Sequence, residues 1–229
     1  MDKIGKNIIL TGDTRGLGLV TKNLLKLKGF NIIGISRNSN DIKYDLSDTQ
    51  NIKDLYHERI KPRGPIHGFI NCAATAYDDI VTNLNYEKLK AMYNVNVFSP
   101  MMLTKYVIRD MILNKIGGSL VHVSSVSTHT GYKGLSMYAA TKGSLEAFSK
   151  NISREWGREG IRSNIVCPGF ISTSMSSKLS KEQKEKIFKR NSLKKEISIE
   201  GISNTIIFLL SPESESITGQ IINVDNGTI

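Results

Sequence analysis

Thr11-Gly12-Asp13-Thr14-Arg15-Gly16-Leu17-Gly18 follows the apolar run Asn7 to Leu10 and leads into an amphipathic run that ends at Leu27. The apolar run predicts a strand and the amphipathic run a helix, so three glycines fall in the first strand-to-helix turn. Glycine lets the backbone approach a phosphate, and the N–H groups and dipole of the helix start favour an anion. The stretch therefore predicts a pyrophosphate site, although tight turns also need glycine for geometry alone.

Short apolar runs alternate with amphipathic runs along the rest of the chain. The apolar runs predict further strands at Asn31 to Ile35, Gly68 to Asn71, Ser119 to Val123, Arg162 to Val166 and Ile221 to Val224. Apolar residues at helical spacing predict helices at Leu17 to Leu27, Tyr86 to Leu113, Tyr138 to Trp156 and Ile202 to Leu210. This alternation indicates an α/β fold, a doubly wound parallel sheet with helices on both faces.

Length and composition predict a single domain over residues 1–229. Of the 229 residues 39% are hydrophobic and 23% charged, which excludes a disordered or fibrous chain. The alternation is interrupted between Ser172 and about Ile197, so we expect an insertion over about 172–200 that forms a substrate lid. We see no bilayer-spanning apolar run and no signal peptide, and we expect a cytoplasmic protein that does not bind membranes.

Cysteine usage and charge exclude further classes of protein. Cys72 and Cys167 lie in apolar runs, and the four histidines lack ligand spacing, so we predict reduced thiols and no metal. The net charge is +10, and residues 178–195 hold eight basic against two acidic residues. These basic residues form either a solvated helix face or a surface for an anionic substrate or an acidic partner. Aromatic residues are sparse there, so we expect no nucleic-acid binding.

The end of the second predicted strand bears on the kind of dinucleotide. Ser36 and Arg37 stand about 20 residues after the glycines, where an acidic residue would hold the ribose 2′-hydroxyl of NAD. Arg15 and Arg37 could instead bring two guanidinium groups to one 2′-phosphate. The sequence therefore favours NADP(H), and the alternative is that both arginines are merely exposed.

Tyr138-x-x-x-Lys142 places a phenol and an ammonium group on one face of a predicted helix. The pattern is unspecific, because Tyr86-x-x-x-Lys90 also matches it. Only Tyr138 follows Ser125 closely, and Ser125 comes just after a predicted strand, at the edge where α/β sheets place their sites. We therefore interpret Tyr86 as structural.

The chemistry of ketone reduction explains why these three side chains belong together. Hydride transfer to a ketone leaves an alkoxide that needs a proton, and a tyrosine with a pKa of about 10 suits neutral pH poorly. Lys142 would stabilise the phenolate and lower the pKa of Tyr138, and Ser125 would hydrogen-bond the substrate oxygen. Tyr138 is then the general acid in reduction and the base in the reverse reaction.

With the Gly-x-x-x-Gly-x-Gly turn, these residues resemble the short-chain dehydrogenase/reductase family. The resemblance extends over essentially the whole chain: Asn71-Cys72-Ala73-Ala74 resembles a strand end of the family, and Asp45-Leu46 its adenine contact. It implies four catalytic residues, Asn96, Ser125, Tyr138 and Lys142. The implied cofactor contacts are Gly12, Thr14, Arg15, Gly16, Leu17, Gly18, Ser36, Arg37, Asp45, Leu46, Asn71, Ala73, Tyr138, Lys142, Pro168, Gly169, Ile171 and Thr173.

Each of the weaker motifs also has a plainer interpretation. Asp45 could cap a helix, Asn71 and Asn96 could satisfy buried backbone groups, and Pro168-Gly169 could be only a turn. The sequence also departs from the family pattern at two positions near the expected cofactor. Ala74 replaces a glycine, and Asp13 stands where a small residue is usual. Because Asp13 would repel a phosphate, we expect it to face outward or to cap the helix.

The resemblance implies an NADPH-dependent carbonyl reductase, most similar to the β-ketoacyl-[acyl carrier protein] reductases. An acidic carrier protein would suit the basic segment 178–195, with Lys115 and Arg158 if they flank the pocket mouth. The alternatives are a reductase of a keto-sugar or another biosynthetic ketone, and a non-catalytic NADP(H)-binding regulatory protein. The family's usual homotetramer would be built on the predicted helices Tyr86 to Leu113 and Tyr138 to Trp156.

Overall fold

Seven parallel strands form one sheet in the computed structural model, which describes residues 5–172 and 180–229. The strands are β1 (Asn7–Thr11), β2 (Asn31–Ser36), β3 (Ile42–Lys43), β4 (Ile66–Asn71), β5 (Gly118–Val123), β6 (Ile161–Pro168) and β7 (Ile221–Val224). Their order in the sheet is β3-β2-β1-β4-β5-β6-β7. Because every pairing is parallel, all the carboxyl ends lie at one edge of the sheet.

Helices connect the strands and cover both faces of the sheet. They are α1 (Gly16–Leu27), α2 (Ile52–Asp54), α3 (Tyr86–Tyr93), α4 (Ser99–Asn114), α5 (Ser127–Thr130), α6 (Ser136–Trp156), α7 (Lys181–Phe188) and α8 (Ile199–Leu210). A π-helical stretch, Leu55–Ile60, continues α2, and a second, Asn94–Phe98, joins α3 to α4. Among the described residues, no helix is both long enough and apolar enough to cross a membrane.

Successive strand residues point into two separate cores, as the pleat of a strand requires. Ile8 and Leu10 of β1 pack with residues of α1 and α8 on one face. Ile9, between them, packs with residues of α4 and α6 on the other face. This arrangement confirms the predicted doubly wound parallel sheet.

The six predicted strands are present, with ends that differ by up to two residues. The two-residue strand β3 was not predicted, because two residues show no periodicity. The predicted helix from Tyr86 to Leu113 is interrupted by the π-helical stretch Asn94–Phe98, which contains no glycine or proline to mark a break in the sequence. Within the predicted insertion the structure places α7, whose N-terminus is closed by a Ser180–Gln183 capping box.

Candidate active site

The glycine turn between β1 and α1 is packed too tightly for side chains. A Cβ atom on Gly18 would lie 2.1 Å from the carbonyl oxygen of Gly12. Gly12 itself has φ +76°, and a Cβ there would lie 2.9 Å from Cα of Ala73 on the neighbouring β4 side. The glycines therefore keep bare backbone at the carboxyl edge.

The N-terminus of α1 is free of side-chain caps. Arg15, at the N-cap position, makes no side-chain cap hydrogen bond, and the first turn contains no acidic residue. The first N–H groups of a helix lack intrahelical partners and carry the positive end of its dipole. Together with the bare glycine turn, this helix start fits the pyrophosphate of a dinucleotide.

Asp13 does not face outward and does not cap the helix, so our expectation for it was wrong. Its side chain is fully buried beneath β2 and accepts hydrogen bonds from Lys22 Nζ at 2.7 Å, Ser36 Oγ at 2.9 Å and Ser39 Oγ at 3.0 Å. These three donors, one of them a cation, can satisfy a carboxylate at a position where solvent cannot reach it. Gly34 makes the room, because a Cβ there would lie 2.3 Å from Asp13 Oδ2.

Two cationic side chains, Arg15 and Arg37, are exposed at this end of the sheet. Near them lies an open depression of about 350 Å³, and Arg15 is part of its lining together with Thr14 and Lys22. The structure thus brings the glycine turn and the end of β2 together, as predicted, at a surface that carries positive charge.

The ends of β1 and β4 are tied together by Thr11. Its Oγ1 donates to Asn71 Oδ1 at 3.3 Å and accepts from the backbone N–H groups of Cys72 and Ala73, each at 3.2 Å. The amide nitrogen Nδ2 of Asn71 is buried and has no hydrogen-bond partner among residues 5–172 and 180–229. The plainer interpretation of Asn71, that it satisfies buried backbone groups, therefore does not describe it.

Asp45 and Leu46 lie in the loop after β3. Asp45 is exposed, and a hydrogen bond from the backbone N–H of Ser47, at 2.9 Å, holds the pKa of its carboxyl below the usual value. It caps no helix, because α2 begins only at Ile52. Leu46 is buried, and its carbonyl oxygen accepts a hydrogen bond from Ser99.

Ser125 follows β5 and meets Tyr138, the third residue of α6. The Ser125 side chain lies near the phenol and favours its ionised form, although burial of the phenol outweighs this effect. Ser127, which the sequence did not single out, donates to Ser125 Oγ through both its backbone N–H, at 3.2 Å, and its hydroxyl, at 3.0 Å. Because these two donors occupy lone pairs of the Ser125 oxygen, the hydroxyl proton of Ser125 remains free to be donated.

Lys142 lies one turn after Tyr138 on α6 and is 1% exposed. Its Nζ donates to the Val123 carbonyl at 2.8 Å and lies 5.8 Å from the centre of the Tyr138 ring. Burial lowers the pKa of Lys142 to about 8. Burial also raises the pKa of Tyr138 above its ordinary value, and the nearby Asp78 carboxylate adds to the rise. Our expectation of a lowered Tyr138 pKa was therefore wrong, because desolvation of the phenol dominates.

Asn96 lies in the π-helical stretch and is fully buried. Its Oδ1 accepts from Thr75 N at 2.9 Å, and its Nδ2 donates to Thr75 O at 2.9 Å and to Thr141 Oγ1 at 3.0 Å. Asn96 therefore satisfies backbone groups, as in its plainer interpretation, although Thr75 itself is an exposed residue. The same bonds fasten the loop after β4 to α6 between Tyr138 and Lys142.

Pro168 ends β6, and Gly169 continues alongside the end of β7. Gly169 N donates to Val224 O at 3.1 Å, and a Cβ on Gly169 would lie 2.5 Å from Ile197 Cδ1. Ile171 is half-buried. Thr173 lies outside the described residues, so its predicted contact stays a prediction.

The basic segment reaches the site only in part. Phe188 of α7 lies with its ring centre 5.8 Å from that of Phe170, so α7 packs beside the loop that follows β6. Lys115 and Arg158 do not flank the pocket mouth. Lys115 follows the end of α4 just before β5, and Arg158 follows the end of α6 just before β6. Both residues therefore lie at the amino edge of the sheet, opposite Ser125.

One mixed cluster in the described part of the chain has the composition of a metal site. His129, Glu146 and Cys167 place their ligand atoms within 4.8 Å of one another. Glu146 is already bound, by the hydroxyls of Ser124 and Thr128 and by His129 Nε2 at 3.3 Å. Hydrogen bonds account for this geometry, and it fastens the Ser125 loop to α6. The absence of a metal stays a prediction.

Comparison with known proteins agrees with this geometry. A family model described as Enoyl-(Acyl carrier protein) reductase matches residues 31–228. A Mus musculus protein named 3-oxoacyl-[acyl-carrier-protein] reductase is 31% identical over 242 residues, which cover 99% of this chain and 98% of that protein. A Sus scrofa protein named Carbonyl reductase [NADPH] 2 is 30% identical, with 99% and 98% covered. The solved structure of a 4-hydroxyisoleucine dehydrogenase complexed with NADH superposes with a TM-score of 0.92 at 25% identity, covering 98% of each chain.

The family model and the relatives cover most of this chain, and the superposed structure has the same fold. The glycine turn and the group Ser125, Tyr138 and Lys142 lie together at the carboxyl edge of that fold. The chain belongs to the short-chain dehydrogenase/reductase family of nicotinamide-dependent oxidoreductases.

Proposed function

We propose that the protein is an NADPH-dependent reductase that converts a ketone into a secondary alcohol, with Tyr138 as the proton donor. The observation that carries this proposal is the placement of Ser125 next to Tyr138, beside the buried Lys142 ammonium. A hydroxyl with a free proton and a phenol, side by side, can both meet one carbonyl oxygen.

The cofactor would lie along the carboxyl edge of the sheet. The bare glycine turn and the uncapped start of α1 would hold its pyrophosphate, and Arg15 and Arg37 would face its 2′-phosphate. The unpartnered Nδ2 of Asn71 offers a donor at the same edge. When bound, NADPH supplies the hydride.

The residues of this chain would manage the proton and the developing charge. Ser125, oriented by Ser127, would donate its free proton to the ketone oxygen and stabilise the charge that forms there. Tyr138 would transfer its proton to that oxygen, and its raised pKa keeps it protonated in neutral solution. Lys142, as an ammonium ion, would stabilise the resulting phenolate.

We infer that the ketone is a 3-oxoacyl group on an acyl carrier protein. The names of the relatives support this substrate, and so does the charge of the lid. In the described part of the basic segment, residues 180–195 carry seven basic and two acidic residues. Such a surface would attract an acidic carrier and speed its encounter with the site.

We also infer a homotetramer assembled on α4 and α6. Phe98, just before α4, is 46% exposed, and Leu113 at its end is 75% exposed. In such an assembly these apolar side chains, at the two ends of α4, would be covered by a neighbouring subunit. Light scattering would measure a mass of four chains if this inference holds and of one chain if it fails.

The test follows the absorbance of NADPH, and separately of NADH, after mixing with an acetoacetyl thioester or with a crotonyl thioester. We expect consumption of NADPH with the first substrate and none with the second, which has no ketone. Tyr138→Phe should abolish the reaction. Tyr86→Phe is the matched control, because Tyr86 starts the other Tyr-x-x-x-Lys match and is 66% exposed. No turnover of the acetoacetyl thioester by the wild-type protein would overturn the proposed substrate.

A further inference from the structure

Asp13 joins the glycine turn to both ends of the segment that carries Arg37. Ser36 stands before Arg37 and Ser39 two residues after it, and both donate to the same carboxylate. Ser36 Oγ also lies 3.3 Å from Thr14 Oγ1, and Thr14 and Ser36 are both partly exposed. Two of the hydroxyls expected to face the cofactor are therefore linked to a buried charge.

The hydrogens of these hydroxyls can be assigned by counting. A carboxylate only accepts hydrogen bonds, so the 2.9 Å contact between Ser36 and Asp13 uses the single hydroxyl proton of Ser36. The contact between Thr14 and Ser36 then requires the proton of Thr14. Neither hydroxyl has a proton left, and each offers only lone pairs to a ligand.

This polarity distinguishes the two nicotinamide cofactors. The 2′-phosphate of NADPH consists of acceptor oxygens, so Thr14 and Ser36 cannot hydrogen-bond it in this arrangement. The ribose 2′-hydroxyl of NADH can donate to Ser36. Arg15 and Arg37 favour the phosphate, whereas the Asp13 network favours the hydroxyl.

We propose that Asp13 determines cofactor specificity by weakening the preference for NADPH, so that the site also accepts NADH. This inference rests on the proposed function, because it assumes that the adenosine ribose lies between the glycine turn and the end of β2. It gives Ser36, which the sequence predicts only as a cofactor contact, the role of an acceptor for the 2′-hydroxyl.

The substitution Asp13→Asn tests the proposal with almost no change in size. Lys22 Nζ, 2.7 Å from Oδ2, would keep the amide oxygen at that position and turn the amide nitrogen toward Ser36. The bond to Ser36 would then run in reverse and free the Ser36 proton for the phosphate. One hydrogen bond to a charged group corresponds to about a tenfold change in affinity.

The measurement is calorimetric titration of the full-length protein with NADPH and with NADH. We expect Asp13→Asn to raise the ratio of the NADH Kd to the NADPH Kd about tenfold, and Ser36→Ala in the same background to reverse that gain. Asp41→Asn is the matched control. It also removes a carboxylate beside Gly34, but that carboxylate bonds to Gly34 N and Arg63 and not to Ser36.

Each outcome decides a separate question. A ratio unchanged in Asp13→Asn, with NADPH still bound, overturns this inference and leaves the proposed function standing. An equal rise of the Kd ratio in Asp41→Asn also overturns it, because the loss of a nearby negative charge would then explain the effect without the bond to Ser36. Wild-type protein that binds neither cofactor overturns the proposed function and the inference with it. If Asp13→Asn does not fold, Ser36→Ala alone decides: it should weaken NADH binding more than NADPH binding, and the opposite order contradicts the proposal.

Discussion

Ser127 donates two hydrogen bonds to the oxygen of Ser125, one from its backbone and one from its hydroxyl. Ser127 is buried, whereas Ser125 is partly exposed. The inner serine thus fixes the direction in which the outer serine can give its proton. An oriented donor stabilises developing charge without having to reorganise during the reaction.

Replacing Ser127 by alanine should therefore slow the reaction while leaving its chemistry intact. The Ser127 hydroxyl contributes one neutral hydrogen bond of about 1 kcal/mol, which corresponds to about a fivefold loss in kcat. Steady-state rates of NADPH oxidation would measure this loss. The control is Ser144→Ala, because the Ser144 hydroxyl donates to the Ala140 carbonyl on its own helix and not to Ser125. Equal effects of the two substitutions would contradict the orienting role.

Lys142 should make stability depend on pH in an unusual direction. Its pKa is about 8 in the folded protein, against 10.5 for a free lysine side chain. Below about pH 8 both the folded and the unfolded chain carry the proton, and the buried ammonium costs stability. Between about pH 8 and 10.5 the unfolded chain binds more protons than the folded chain, so this group makes the free energy of unfolding rise with pH.

Lys142 should raise the free energy of unfolding by about 3 kcal/mol between about pH 8 and 10.5. Chemical denaturation of the wild-type protein and of Lys142→Met at pH 7.5 to 10.5 would measure it, since the other titrating groups are common to both. We expect the wild-type protein to gain stability relative to Lys142→Met as pH rises. A difference between the two proteins that stays constant with pH would show that Lys142 keeps its proton in the fold.

Gly18→Ala should damage the glycine turn. The added methyl group would lie 2.1 Å from the carbonyl oxygen of Gly12, so the turn must shift. Overpacking of this kind costs about 1–3 kcal/mol, and the shift would also weaken NADPH binding. Gly201→Ala is the control, because its methyl group would lie 3.6 Å from Ser198 Cβ, at an ordinary contact distance in α8. Thermal melts with and without NADPH would compare the two variants.

Asn96→Ala should lower the stability of the fold, apart from any effect on catalysis. The substitution removes the three hydrogen bonds that Asn96 makes to the N–H and C=O groups of Thr75 and to Thr141. A typical hydrogen bond contributes about 1 kcal/mol to stability. We expect a fall in the free energy of unfolding of at least about 2 kcal/mol, measured by urea denaturation. A stable variant with no activity would instead point to a direct role of Asn96 in the reaction.

The sequence predicted the six longer strands because each has an apolar run bounded by turn residues. It also placed Ser125, Tyr138 and Lys142 together, because the end of a parallel strand and the next helix must meet at one edge. Spacing along the chain could not reveal Ser127 as a partner of Ser125. It also could not locate the break at Asn94–Phe98, because these five residues include no glycine or proline that would mark the end of a helix.

The burial of Asp13 could not be predicted from the sequence, for a different reason. Its partners come from β2, the following loop and α1, so the network exists only once these elements have packed. One clue was present in the sequence. A glycine stands at position 34 in the middle of a predicted strand, and such a glycine often marks a close approach by another group. Here that group is the Asp13 carboxylate.

The order of the strands separates the two tasks of the site. The Asp13 network lies at the ends of β1 and β2, whereas Ser125 and the Gly169 loop follow β5 and β6, on the other side of β4. The partners of Asp13 are Lys22, Ser36 and Ser39, and none of them bonds to Ser125 or Gly169 in the described part of the chain. Free energies of substitutions at such distant sites add. Cofactor choice and proton transfer can therefore be altered one at a time, by an engineer or by natural variation. A substitution that changes one of them should have the same effect whether or not the other has been changed.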